Sequence, residues 1–221
     1  LIFLVYFLIS FFISIPFYLS SYNLTFINSY FEAVSGLTGT GFSTFEYIKS
    51  LDSPLILWRS SSQWIGGLYF LFFLVLIFSN KQFNYKMSEL TYSENGNINS
   101  ETNIKDILIK IFICYSALSF IIFLLLNISE VRMFNSLNLS MSLVSAGGFI
   151  PTNSLDKIIN SNLQKLILIF SLLISMLNFF LILNIFEKKV IVREHREDLY
   201  LIILSIIFIL LVYFNNYNGL N

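Results

Sequence analysis

Five stretches of this chain, residues 1–20, 55–79, 107–126, 163–186 and 199–214, contain no aspartate or glutamate. A helix needs about 20 mostly apolar residues to cross the hydrocarbon core of a bilayer. Their only cations are Arg59, Lys110 and Lys165, each within about a turn of a segment end. At such places a long side chain can snorkel to the interface. Composition agrees: 12% of residues are charged, against about 25% in soluble domains. The 13 basic and 13 acidic residues cancel, which argues against a nucleic-acid partner. A single cysteine, Cys114, excludes an internal disulfide framework and a cysteine zinc cluster. The chain reads as an all-α integral membrane protein, with lipid as its first partner.

Residues 1–20 lack the basic n-region and small-residue cleavage site of a signal peptide, and the first residue is Leu1. They are expected to be a span of a longer reading frame. The far end, residues 215–221, follows a hydrophobic segment directly, so truncation is expected there as well.

Five of the nine glycines fall in two short stretches. The first runs from Phe31 through Gly36, Gly39 and Gly41 to Phe42-Ser43. The second runs from Asn138 to Gly147-Gly148-Phe149. Each lies between two apolar segments. Each begins with roughly a dozen moderately apolar residues, too few to cross a bilayer and suited to a half-helix. The order is therefore span, half-helix, Gly-rich stretch, span, and it occurs twice, in residues 1–79 and 104–186. Matching Gly41-Phe42 to Gly148-Phe149 sets Thr38, Gly39, Thr40 and Gly41 against Ser145, Ala146, Gly147 and Gly148.

Irregular backbone at membrane depth is tolerated only where protein buries it or where it lines an aqueous cavity. Glycine admits left-handed dihedrals, so successive carbonyls can turn toward one axis. There they can replace the hydration shell of a monovalent cation. The half-helix in front adds the negative end of its dipole. None of the eight matched residues, 38–41 and 145–148, is one of the carboxylates that divalent-cation sites use. K+ or Na+ is the expected ligand, at those eight residues, with no cofactor. A simple Gly/Ser turn between helices is the alternative for either loop taken alone.

These residues resemble the Trk/Ktr/HKT superfamily of potassium transporters, most closely its TrkH-type membrane subunit. Ser14-Ile15-Pro16-Phe17 is similar to the end of the first helix of a repeat. Phe31-Glu32-Ala33-Val34-Ser35-Gly36-Leu37-Thr38 resembles a pore helix and filter. Trp58-Arg59, Gln63-Trp64 and Gly66-Gly67 resemble the signature that opens the next helix, and Ala146-Gly147-Gly148-Phe149 resembles a second filter. Asn178-Phe179 and the charged run before Leu199 resemble the passage to a third repeat. The resemblance implies four helix–pore-loop–helix repeats around one pore, a potassium-channel-like fold. This chain would hold two of them, linkers at 80–103 and 187–198, and the first helix of a third at 199–221. It implies K+ transport through a pore-forming subunit and a cytosolic nucleotide-binding regulatory subunit docked on the inner side. A homodimer is expected separately, since pairing two such halves would restore four loops. The chain departs from the family pattern at Gly39 and Ala146, where Thr is frequent, and at Ile150-Pro151, where Ser-Thr is usual.

With both loops outward, residues 80–106 and 187–198 face inward and carry Lys81, Lys86, Lys105, Lys188, Lys189, Arg193 and Arg196, while the outer loops carry only Lys49, Arg132 and Lys157. This is the positive-inside bias of a multi-pass protein of the cell membrane. Glu32 and Arg59 are the expected filter supports. Glu32 reads as a cap or packing partner. Arg59 reads as holding a pore-loop carbonyl, as holding Glu32, or as an interfacial anchor. Trp58 and Trp64 are expected in an interfacial aromatic belt. Gly66-Gly67 read as a close helix approach, Pro54 as a first-turn proline, and Cys114 as a packing residue. Asn95-Gly96 marks a turn in a polar linker, and His195 a solvated connection. With one histidine, one cysteine and acid-free spans, no acid–base pair or metal cluster is evident; the chain reads as no enzyme. A Na+-conducting protein and a non-conducting assembly protein are the other readings.

Overall fold

The computed structural model describes residues 2–78, 104–176 and 200–208, and every regular element among them is helical. In chain order these are α1 (Ile2–Tyr18), α2 (Phe26–Thr38), α3 (Ser53–Phe78), α4 (Ile104–Ile128), α5 (Met133–Val144) and α6 (Asn162–Met176). Residues 200–208 are helical too. The order long, short, long occurs in α1–α3 and again in α4–α6. α3 and α4 are each long and apolar enough to cross a bilayer, while α1 and the described part of α6 are shorter apolar helices.

The half-helices begin and end for local reasons. Thr25 caps α2 by accepting from the Asn28 backbone N–H at 3.3 Å. At the other end Gly39 takes a left-handed conformation, and its N–H returns to the Gly36 carbonyl at 3.1 Å. α5 ends likewise as the N–H groups of Ala146 and Gly147 turn back to the carbonyls of Leu143 and Ser142. Several serines along the helices are satisfied within their own helix. The hydroxyls of Ser10, Ser14 and Ser140 donate to carbonyls three or four residues back. Such short side chains let helices approach closely in lipid.

The outside of the bundle is apolar: Phe12 is 66% exposed and Leu166 66%, as for a surface that meets hydrocarbon chains. Two larger apolar clusters lie inside, beside a smaller one between α3 and α4 around Val75 and Ile111. One joins α1, α2 and α3 through Ile13, Phe17, Ala33, Leu37 and Leu55. The other joins α4, α5 and α6 through Ile122, Leu126, Leu139, Leu143 and Ile167. α3 is the member shared by the two halves, packing on α2 and also on α5 and α4.

One expectation is corrected. Arg59 does not snorkel: its side chain is buried, 1% exposed, for a reason given below. Lys110 and Lys165 are exposed, as expected. Trp58 and Trp64 are both partly buried. Trp58 Nε1 donates to the Ile13 carbonyl at 3.0 Å and Trp64 Nε1 to Ser119 Oγ at 2.8 Å. An indole is amphipathic, and its one N–H is as well served by a neighbouring helix as by a headgroup. Cys114 is buried. Both linkers, with Asn95-Gly96 and His195, lie outside the described residues, as do Asn178-Phe179, the end of the fourth apolar segment and residues 209–221.

Candidate functional site

Both Gly-rich loops alternate in handedness at the same two places. The φ angles are +68° at Gly39 and +74° at Gly41, against +52° at Ala146 and +80° at Gly148. The Gly-Phe register pairs Gly39 with Ala146 and Gly41 with Gly148, so left-handed residues fall on equivalent positions. The two loops also touch. A Cβ built on Gly41 would lie 2.5 Å from the Gly147 carbonyl oxygen, and one on Gly39 3.5 Å from that of Ser145. All eight residues singled out in the loops therefore come to one place. A cavity of about 440 Å³ adjoins it, lined by Thr38, Gly39, Gly66, Gly67 and Ser145 among others. The C-terminal ends of α2 and α5 both reach that cavity, and helix C-termini carry partial negative charge. The threonine hydroxyls serve the loop itself: Thr38 Oγ1 donates to the Val34 carbonyl at 2.8 Å and lies 2.7 Å from Thr40 Oγ1.

The first loop is clasped from behind by Glu32, which is fully buried. Its Oε2 accepts from the Thr44 backbone N–H at 2.8 Å and from Thr44 Oγ1 at 3.1 Å; its Oε1 accepts from Ser43 Oγ at 3.0 Å. Arg59 Nε donates to the same Oε1 at 2.8 Å, and Arg59 Nη2 donates to Ser43 Oγ at 3.0 Å. A carboxylate this deep is tolerable only with a counter-ion and saturated lone pairs. That is why Arg59 leaves the interface and turns inward. Its guanidinium also lies 4.2 Å from the centre of the Phe149 ring, in the second loop.

The second loop is held by Gln63, one turn further along α3. Its Oε1 accepts from Ser142 Oγ at 2.9 Å and from the Phe149 backbone N–H at 3.1 Å; its Nε2 donates to the Gly147 carbonyl at 2.5 Å. Gly66 and Gly67 continue this face. A Cβ on Gly66 would strike the Leu37 carbonyl, and one on Gly67 would meet Tyr115 Oη at 2.5 Å. Arg59, Gln63 and the glycine pair recur at intervals of about four along the helix, so one stripe of α3 meets both loops.

A family model described as TrkH, a cation transport protein, matches residues 5–212. The chain belongs to the TrkH family. It is 27% identical to the Trk system potassium uptake protein TrkG of Escherichia coli over 184 residues, 78% of this chain and 36% of that protein. It is 29% identical to an uncharacterized cation transporter of Methanocaldococcus jannaschii over 148 residues, 65% of this chain and 30% of the relative. The crystal structure of the potassium transporter TrkH from Vibrio parahaemolyticus superimposes with a TM-score of 0.67 at 22% identity, covering 80% of this chain and 35% of that one. The all-α membrane-transporter fold is thereby shared. The chain spans about a third of the length of these relatives. The family is one of transporters and not of enzymes. Among the described residues no group of three or more His, Cys, Asp or Glu side chains converges on a metal position.

Within this TrkH-family chain the two loops are clasped by opposite chemistry. The Gly-Phe register puts Leu139 where Glu32 stands and Ile150-Pro151 where Ser43-Thr44 stand. Leu139 and Ile150 pack in the α4–α6 apolar cluster. The missing hydroxyls of the second loop are thus accounted for: in the first loop the Ser43 and Thr44 hydroxyls bind Glu32, and where Leu139 replaces Glu32 they have no acceptor.

Of the three readings of Arg59, the structure selects the pair with Glu32. Together Glu32 and Arg59 hold Ser43 and Thr44, just after the first loop. Sequence reasoning did not assign roles to Gln63, Ser142 and Phe149. The available signal was the spacing of Arg59 and Gln63, four apart and hence on one helix face.

Proposed function

We propose that this chain forms part of the pore of a Trk-type system that moves K+ across the cell membrane, in a multi-pass subunit. The observation that carries the reading is the pair of abutting loops with left-handed residues at matched positions. Alternating handedness turns neighbouring carbonyl oxygens toward a common side, where they can replace the water around a dehydrated monovalent cation. The dipoles of α2 and α5, ending beside the same cavity, lower the cost of a positive charge there. Thr38, Gly39, Thr40, Gly41, Ser145, Ala146 and Gly148 are the proposed ion-facing residues, with Gly147, whose oxygen bonds Gln63, anchoring the second loop behind them; no further cofactor is proposed. Residues 1–79 and 104–186 are proposed as two helix–pore-loop–helix repeats, 80–103 and 187–198 as cytoplasmic linkers, and 199–221 as the start of a third repeat. A homodimer and a cytosolic nucleotide-binding subunit are the proposed partners. The names of the relatives support K+ as cargo.

The complete gene that encodes this chain, expressed in cells lacking K+ uptake, tests the proposal. Growth at low external K+ is the expected result. Protein present in the membrane without rescue counts against K+ transport; uptake of Na+ in its place favours a Na+-conducting protein.

A further inference from the structure

We propose that Gln63 is a positioning residue for ion selection, acting on the second loop from the helix that also clasps the first. The inference rests on the loops being the ion filter. The carboxamide is fully buried and uses both its ends on a single stretch of backbone. Through Oε1 it accepts from Ser142 Oγ and the Phe149 N–H, and through Nε2 it donates to the Gly147 carbonyl. A neutral side chain that both donates and accepts is what such a stretch requires, and an amide is the compact form of it. The bonds bracket Gly148, whose φ is +80° and beside which a built Cβ would meet no atom within 4 Å. Gly147 is small for the same reason, since a Cβ there would run into the Gln63 carboxamide. With its oxygen taken by Gln63, the Gly147 peptide is fixed in rotation, and that rotation sets which way the flanking carbonyls face.

Four residues earlier on the same helix, Arg59 holds Glu32 and lies over Phe149. The stripe formed by Arg59 and Gln63 therefore ties Ser43 and Thr44, through Glu32, and the 147–149 backbone to one rigid element. Loss of the Gln63 bonds frees the second loop to turn its carbonyls, while Arg59 and Glu32 still hold the first. Ion preference then falls before the protein does.

The test uses the complete gene in cells lacking K+ uptake, with membrane protein level and the ratio of K+ to Na+ uptake measured together. Gln63→Met keeps the volume and removes all three bonds. It is expected to lower the K+/Na+ ratio about tenfold, the scale of one or two lost hydrogen bonds, with protein still present. Ser142→Ala removes one donor to Gln63 without touching the loop backbone and is expected to give a smaller fall in the same direction. Trp64→Phe loses a hydrogen bond on the α4 side of the same helix and is expected to leave the ratio unchanged. An unaltered ratio in Gln63→Met, or a Trp64→Phe effect of equal size, overturns the inference. Should Gln63→Met fail to accumulate, Ser142→Ala decides, and an unaltered ratio there overturns it. Absence of K+ uptake by the unaltered gene overturns the filter reading itself, and this inference with it.

Discussion

Gly39 and Ala146 hold equivalent places in the two loops and share a left-handed backbone, with φ at +68° and +52°. An L-residue with a Cβ is strained there by roughly 1–2 kcal/mol, yet only one of the pair is glycine. Ala146→Gly is therefore expected to stabilise the protein by about 1 kcal/mol. Gly39→Ala is expected to cost a similar amount and no more, because its new Cβ would find its nearest neighbour at 3.5 Å. Thermal unfolding of the purified protein in detergent measures both.

Gly41 and Gly148 also match in φ and differ in surroundings. A methyl group on Gly148 meets open space, whereas one on Gly41 lies 2.5 Å from the Gly147 carbonyl oxygen. Backbone cannot step aside as a side chain can. Gly148→Ala is expected to show only the dihedral cost, about 1 kcal/mol. Gly41→Ala is expected to exceed it by at least about 1 kcal/mol and to reduce ion uptake as the loops are pushed apart. Equal losses of stability and uptake in the two variants would contradict the contact between loops.

Removing either member of the buried pair leaves an uncompensated charge. Arg59→Ala is expected to cost about 3–5 kcal/mol, since Glu32 stays in place with its remaining donors. Glu32→Gln keeps an acceptor for the Thr44 N–H and strands the Arg59 charge instead. The combination Glu32→Gln with Arg59→Met is expected to be less harmful than the sum of its parts, with a coupling above about 1 kcal/mol. A double-mutant cycle on unfolding temperature and membrane yield reads this directly; strict additivity would argue that the pair makes no energetic contact.

Gly36 and Gly66 both allow α2 and α3 to meet, and only one of them is open to repair. A Cβ on Gly36 strikes Ser62 Oγ, the end of a small side chain; one on Gly66 strikes the Leu37 backbone carbonyl. Gly36→Ala is expected to lower the yield of folded protein, and Ser62→Ala to restore it. For Gly66→Ala the expected loss is about 2–3 kcal/mol, with no rescue from Ser62→Ala. Yield of monodisperse protein from membranes distinguishes the two.

The segments that stood out as apolar runs became helices with small changes at their ends: residues 55–79 correspond to Ser53–Phe78 and 107–126 to Ile104–Ile128. Nothing in such a run competes with the need to satisfy its own backbone in lipid. The loop conformation was readable at Gly39, Gly41 and Gly148, where glycine announces positive φ, and unreadable at Ala146, which conceals the same conformation behind a Cβ. Arg59 carried three readings because its position near a segment end suits an interfacial anchor as well as a buried partner. The aromatic character of Trp58 and Trp64 gave no sign of their hydrogen-bond partners, Ile13 and Ser119.

Apolar length, glycine placement and the doubled span–half-helix–span order are properties of neighbours in the chain, and physics acting over a few residues was enough to read them. Partners were another matter. Gln63 finds Gly147 84 positions away and Arg59 finds Glu32 27 positions away. A side chain's hydrogen-bonding capacity says what kind of group it needs and nothing about where along the chain that group lies. The packing of α3 between α2 and α5 brought those groups within reach, and so assigned each loop its clasp.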